Sequence, residues 1–223
     1  MMTFDTANED ILELCNKDWL STIDIEKMDH ILLNCDAELR YFFAENLINA
    51  EPKESWHLLQ VLTDDPDFLV RAEACQSLSV NSSKQSFDLL KKICCGDPNE
   101  VVRAYAIVSL GLILNEQTTD SIHEVVDALT LLKEKDNSLR VQLALCETLY
   151  RVCPNEEYIK EIVKCFDNPD YTIRCSALNH LEGMITGQNK ERIKRHILQL
   201  QDVEDSQAVL SVIARLKKDL ENI

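Results

Sequence analysis

Asp65-Pro66-Asp67-Phe68-Leu69-Val70-Arg71-Ala72-Glu73-Ala74-Cys75-Gln76-Ser77-Leu78 returns 32 residues later as Asp97-Pro98-Asn99-Glu100-Val101-Val102-Arg103-Ala104-Tyr105-Ala106-Ile107-Val108-Ser109-Leu110. Both copies place an arginine six residues after the aspartate and then follow it with apolar residues at helical spacing. A third copy runs from Asn168 to Leu181 around Arg174, and a weaker one from Asp136 to Leu149 carries Gln142 in place of the arginine. Upstream, Asn34 to Leu47 fits around Arg40. Val203 to Leu216 lacks both the Asp-Pro start and the arginine and keeps only Val209, Val212, Ile213 and Leu216. The marker positions Arg40, Arg71, Arg103, Gln142, Arg174 and Val209 are spaced 31, 32, 39, 32 and 35 residues apart. A period of this size is the signature of a repeat architecture.

Several copies are preceded by a second amphipathic stretch, such as Trp56 to Leu62 or Phe87 to Ile93, so the repeating unit reads as a helical hairpin. Composition agrees: 4 Gly and 5 Pro in 223 residues are too few for a many-turned β fold. Pro52, Pro66, Pro98, Pro154 and Pro169 all fall at expected helix starts, where a missing amide is no loss. Asp65, Asp97 and Asn168, each just before a proline, are expected to cap those helices.

The pattern Asp-Pro-x-x-x-Val-Arg-x-x-Ala-x-x-x-Leu resembles the short units of the HEAT-repeat superfamily, over roughly Ile25 to Leu220. The resemblance implies an all-α fold, a right-handed α-solenoid of about six HEAT-like hairpins. Residues 1–23 would form an amino-terminal cap, 24–201 the repeats and 202–223 a capping helix, in one domain spanning 1–223. It also implies a ladder in which the arginine and an acid six residues earlier link neighbouring repeats, Arg71 and Arg103 with Asp65 and Asp97. With Asn34 and Asn168 replacing the acid and Gln142 the base, the ladder is expected to break in the first, fourth and fifth units. The long fourth spacing, through Asn115 to Asp120, is expected to offset the stack. A hairpin cannot bury its apolar stripe alone, and stacking joins the stripes into one core.

Lys and Arg total 23 against 39 Asp and Glu, a net charge of −16, with 20 acids against 9 bases in residues 1–111 and 19 against 14 in 112–223. Such a surface repels phosphate backbones and anionic headgroups, which disfavours nucleic-acid and membrane binding and favours a basic protein partner. The nine cysteines include no C-x-x-C pair, and the first residues have no signal-peptide pattern, so the chain reads as cytoplasmic. Cys75, Cys146 and Cys175 fall at apolar helical positions, and of the adjacent Cys94 and Cys95 one should be exposed.

The resemblance implies that second helices line the concave face. Helical spacing from Arg71, Ala74, Cys75 and Leu78 turns Glu73, Gln76 and Val80 outward. Equivalent positions are Phe42, Glu45 and Asn49, then Tyr105, Val108 and Leu112, then Ala144, Glu147 and Arg151, then Ser176, Asn179 and Gly183. Phe42, Glu45, Asn49, Glu73, Gln76, Tyr105, Val108 and Glu147 are the candidate protein-binding residues. Phe42 and Tyr105, beside Glu45 and Glu73, have the composition of an interface anchor, and an ordinary core role is the alternative.

No nucleophile elbow, metalloprotease motif or glycine-rich phosphate loop occurs. His123-Glu124 is the one His-Glu pair, whereas the deoxyhypusine hydroxylases of similar repeat fold use repeated pairs to hold iron. No catalytic residue, metal or cofactor is therefore expected. Lys190, Arg192, Lys194 and Arg195 read as the solvated face of one late helix. The function implied is a monomeric, non-enzymatic protein-binding scaffold. Small acidic HEAT-like solenoids resemble immunity proteins that neutralise a basic toxin. The repeat pattern also looks like that of phycobilin lyases, and a chromophore chaperone is the alternative.

Overall fold

The computed structural model describes residues 2–3, 9–81, 83–114 and 119–222; the side chains of 10, 119–121 and 222 are outside the description. Residues 115–118, where the fourth spacing lengthens, therefore lie outside the described residues. The described residues form helices α1 (Glu9–Cys15), α2 (Thr22–Leu32), α3 (Ala37–Asn46), α4 (Pro52–Leu62), α5 (Phe68–Ser77), α6 (Lys84–Gly96) and α7 (Glu100–Ile113). They continue with α8 (Thr119–Lys135), α9 (Leu139–Val152), α10 (Glu156–Lys164), α11 (Tyr171–Glu182), α12 (Lys190–Gln201) and α13 (Gln207–Asn222). Only two isolated bridges, Met2 to Cys35 and Leu20 to Ala50, pair backbone in the β manner among the described residues. The fold is all-α and of the solenoid kind, built from helical hairpins. The chain divides into two compact units, Met1–Ile122 and His123–Ile223.

In the first unit the second helices of the hairpins, α3, α5 and α7, pack closely side by side, while the first helices α2 and α4 touch far less. Small side chains permit the approach: Ala44, Ala72, Ala74, Ala104 and Ala106 are all buried. The Ser77 hydroxyl donates to the Ala44 carbonyl across the α3–α5 seam at 2.6 Å. Behind this layer Leu39, Phe43, Leu58, Leu59, Leu62, Leu78, Leu90, Ile107 and Leu110 form the core between the two helix layers. In the second unit α9, α11 and α13 pair similarly, over a core that includes Cys146, Ile162, Leu178, Leu181, Ile193, Ile197, Val209, Ile213 and Leu216. The degenerate last copy is thus a helical hairpin, α12 with α13, held by the apolar skeleton it kept.

The ladder differs from the expected one. The Arg40 guanidinium grips Asp65 through Nε at 2.6 Å and Nη2 at 3.1 Å. Arg71 grips Asp97 at 2.9 and 3.1 Å, and Arg174 grips Glu204 with both bonds at 2.7 Å. Arg40, Arg71 and Arg174 thus each pair with an acid at the start of the following copy. The acid six residues upstream offers only its backbone, as when Arg71 Nη1 donates to the Asp65 carbonyl at 2.9 Å. Arg103 and Arg174 do the same to the Asp97 and Asn168 carbonyls at 3.0 and 2.7 Å. An asparagine at that position therefore loses nothing for its own arginine, and the first and fifth units are joined after all. In the fourth unit Gln142 keeps the carbonyl bonds, to Lys133 at 2.8 Å and Asp136 at 2.6 Å. Lys133 supplies the missing cation, binding both Gln142 at 2.9 Å and Glu161 at 2.5 Å.

The helix caps also differ. Asp65, Asp97 and Asn168 accept the amides of Asp67, Asn99 and Asp170, closing a tight turn over each proline. Asp67, Asn99 and Asp170 are the actual caps, accepting the amides of Leu69, Val101 and Thr172. Pro66, Pro98 and Pro169 precede those caps and hold the residue before them extended, which ends the preceding helix. Pro52, by contrast, is inside the first turn of α4.

Arg71→Ala removes both bonds of the fork and strands Asp97, and it is expected to lower stability by about 2–4 kcal/mol in a urea titration followed by circular dichroism. Arg71→Gln should cost clearly less, because glutamine at this position retains the carbonyl bonds. Equal losses for the two variants would show that those bonds contribute nothing.

Candidate functional site

Counting from each ladder position, residues two, five and nine further on share one face of the second helix. In the first unit this gives three neighbouring rows on α3, α5 and α7. Of these residues Glu45 and Gln76 are exposed, Tyr105 is 39% exposed, and Phe42, Asn49 and Val108 are half-buried. Val80 and Leu112, 47% and 43% exposed, extend the apolar part of the face. The Asn49 amide donates to the Lys17 carbonyl at 3.4 Å, tying the edge of the face to the segment after α1.

Glu73 is not turned to solvent. It is 5% exposed, in the middle of the row Phe42, Glu73, Tyr105, on the central helix of the three. Tyr41, on α3, brings its hydroxyl to the Glu73 carboxylate. Burial pushes the Glu73 carboxyl above its ordinary range; the Tyr41 hydroxyl pulls it back and the neighbouring Glu45 raises it further. Burial likewise pushes the Tyr41 phenol up to about 12, with Glu73 adding to the rise, and raises that of Tyr105 for the same two reasons. The Tyr41 and Phe42 rings stand edge to face, centroids 5.9 Å apart. Tyr41 was absent from the sequence-derived set. Its signal was readable, since it occupies the column that holds the buried Ala72 and Ala104 in the next two copies.

Glu147 belongs to the second unit, so the structure places it in a different unit from the other candidates. It too is buried rather than outward, and two side chains from its own unit, Arg151 and His180, close over it. Arg151 Nη2 lies 2.8 Å from one oxygen and His180 Nδ1 2.7 Å from the other. Gly183 admits this arrangement, since a Cβ there would come 2.2 Å from the Glu147 Oε1. A nearby groove of about 470 Å³, lined by Asn179, Glu182, Ser211, Val212 and Arg215, is self-satisfied. Arg215 binds Asn179 at 2.7 Å and Glu182 at 3.0 Å.

Cys94 is buried and Cys95 exposed, their sulfurs 3.7 Å apart; the hydrogen bond from Cys94 draws the Cys95 thiol down to about 6. Cys75 and Cys146 are buried as expected, and Cys175 is half-buried. Arg192 of the late basic cluster pairs with Glu156. Among the described residues no group of three or more His, Cys, Asp or Glu side chains is placed to hold a metal ion. No helix among them is long and apolar enough to cross a membrane.

A family model described as HEAT repeats matches residues 55–144, from α4 into α9. That stretch of the chain carries HEAT repeats. The matched stretch contains the two best copies of the repeat and the Arg71–Asp97 joint. No curated protein and no solved structure matches the chain.

Because the Glu73 carboxyl titrates above its unfolded value of 4.5, its ionised form opposes folding at neutral pH. That penalty is complete above the folded-state value and disappears as pH falls through it. Glu73→Gln should therefore raise the thermal midpoint at pH 7.5, by roughly 2–4 °C, and give no gain near pH 4, as scanning calorimetry at the two pH values would show. Gly183→Ala is expected to cost about 1–2 kcal/mol in chemical unfolding, by forcing Glu147 off Arg151 and His180.

Proposed function

We propose that this HEAT-repeat chain is an interaction scaffold that binds a basic protein through the face formed by α3, α5 and α7. HEAT repeats generally serve as protein-binding scaffolds. The observation that carries the reading is the mixture on that one face: exposed Tyr105, Val80 and Leu112 beside the carboxylates Glu45 and Glu73. Exposed aromatic and aliphatic residues supply contact area, and an acidic surround supplies steering and rejects acidic competitors. The net charge of −16 extends the same field over the molecule. In contrast, the equivalent face of the second unit bears Ser176, Asn179 and Gly183, and its buried carboxylate Glu147 is already paired with Arg151 and hydrogen-bonded to His180.

The partner class that follows is a protein with a basic surface of its own. A toxin nuclease is one such partner, because its phosphate-binding surface is the part an acidic face would cover, and the chain would then act as its immunity protein. Nine free cysteines suit a reducing compartment, so we place this role in the cytoplasm, with the chain acting as a monomer and without catalysis.

Immobilised wild type should retain basic proteins, and Phe42→Ala with Tyr105→Ala should release them while circular dichroism stays unchanged. Association should slow steeply as salt rises from 50 to about 300 mM, since steering is screened on this scale. Retention by the double variant equal to wild type would move the binding surface elsewhere.

A further inference from the structure

Four acidic residues are buried among the described residues: Asp24, Asp65, Glu73 and Glu147. Three of them have a basic partner within the chain. Asp24 meets Lys17 at 2.9 Å, Asp65 meets Arg40 at 2.6 Å, and Glu147 meets Arg151 at 2.8 Å. Among the described residues Glu73 makes no ion pair. Its charged neighbour is a second carboxylate, Glu45, which adds to the cost of its ionisation. An unpaired buried carboxylate is costly, and a chain that pairs the other three leaves this one without its cation.

What surrounds Glu73 is suited to receiving one. Phe42 and Tyr105 occupy the same repeat position on the helices to either side, so the carboxylate sits between aromatic residues. Tyr41 supplies a third ring, perpendicular to Phe42 at an interplanar angle of 86°. Aromatic faces attract cations, most of all where water is excluded. A buried carboxylate in one row with aromatic residues of both neighbouring helices suits a positively charged group carried on an apolar stem. Lysine and arginine side chains have that form. A metal ion is a poor occupant, because no third ligand of the carboxylate, imidazole or thiolate kind stands with Glu45 and Glu73 among the described residues.

We infer that Glu73, rimmed by Tyr41, Phe42 and Tyr105, is the seat of a lysine or arginine side chain presented by the basic partner. The inference rests on the interface proposed above and assigns its central contact. Glu45, exposed at the edge of the seat, draws the cation in, and Glu73 receives it. Insertion of the cation ionises Glu73 fully, so binding releases a proton wherever the free carboxyl is still partly protonated.

N-acetyl-arginine amide and N-acetyl-lysine amide serve as probes, with N-acetyl-citrulline amide as the neutral isostere of the first. Titration into the full chain, followed by the ring resonances of Tyr41 and Tyr105, should give saturable shifts with the cations and none with citrulline. Glu73→Gln should weaken cation binding roughly tenfold, the worth of one charge-assisted contact. Asp88→Asn, which removes one exposed charge on α6, should leave it unchanged. Affinity for the cations should rise with pH through the Glu73 titration in wild type and stay flat in Glu73→Gln.

Equal shifts with citrulline, equal weakening by Asp88→Asn, or wild-type affinity in Glu73→Gln would each overturn the seat. The retained basic protein separates this inference from the interface itself. Loss by Phe42→Ala with Tyr105→Ala, but full retention by Glu73→Gln, rejects the seat and keeps the interface. Weakened probe binding in Glu73→Gln, with full protein retention by the double aromatic variant, keeps the seat and rejects the interface.

Discussion

The fold depends on one contact made repeatedly, the fork between an arginine of one second helix and the acid that opens the next. Hydrophobic burial glues helix to helix but is tolerant of sliding. A guanidinium fork is not, because both of its bonds must be met in one plane. At Arg40–Asp65, Arg71–Asp97 and Arg174–Glu204 the same side chain also closes on backbone carbonyls of its own loop. Each arginine thereby fixes the loop before its helix and the helix after it at once. The acid in turn is oriented by the amide two residues on, so no member of the joint is left to find its own rotamer.

The seams that the joint fixes are what bring α3, α5 and α7 close enough to act as a surface. With alanine at the packing columns, the helices approach until residues two places past the arginine stand in a row. Tyr41 breaks the alanine column, and the result is local: a phenol leans across the seam, a carboxylate is covered, and a small charged site appears where the repeat alone would give a plain groove. In the second unit Arg151 pairs with the comparable carboxylate internally and His180 hydrogen-bonds to it. One architecture thus yields a face with an unmet charge and a face with none.

Much of this could be read from the chain. The period, the helical hairpins and the buried columns follow from apolar spacing and from the Asp-Pro punctuation, which are local properties. The direction of the ladder did not, because an acid six residues upstream and one some 26 residues downstream are the same residue type in the same pattern. The pattern alone does not say which oxygen, side chain or backbone, the arginine uses. Glu204 escaped notice for the related reason that it is the second residue of a repeat that lacks the Asp-Pro start. Glu73 and Glu147 were placed outward by helical angle, which takes no account of a tyrosine from the next helix or an arginine from the next turn. Exposure on a packed helix face depends on what its neighbours carry, and that is tertiary information.

The forward reach of each fork gives the stack a polarity. Separating two consecutive repeats at such a joint leaves a guanidinium on the upstream piece and a carboxylate on the downstream piece, never the same charge on both. Cut ends therefore attract in the head-to-tail sense, while two upstream ends or two downstream ends repel. A chain built this way carries its own instruction for order, so that a repeat which opens during a fluctuation is drawn back onto the neighbour it left.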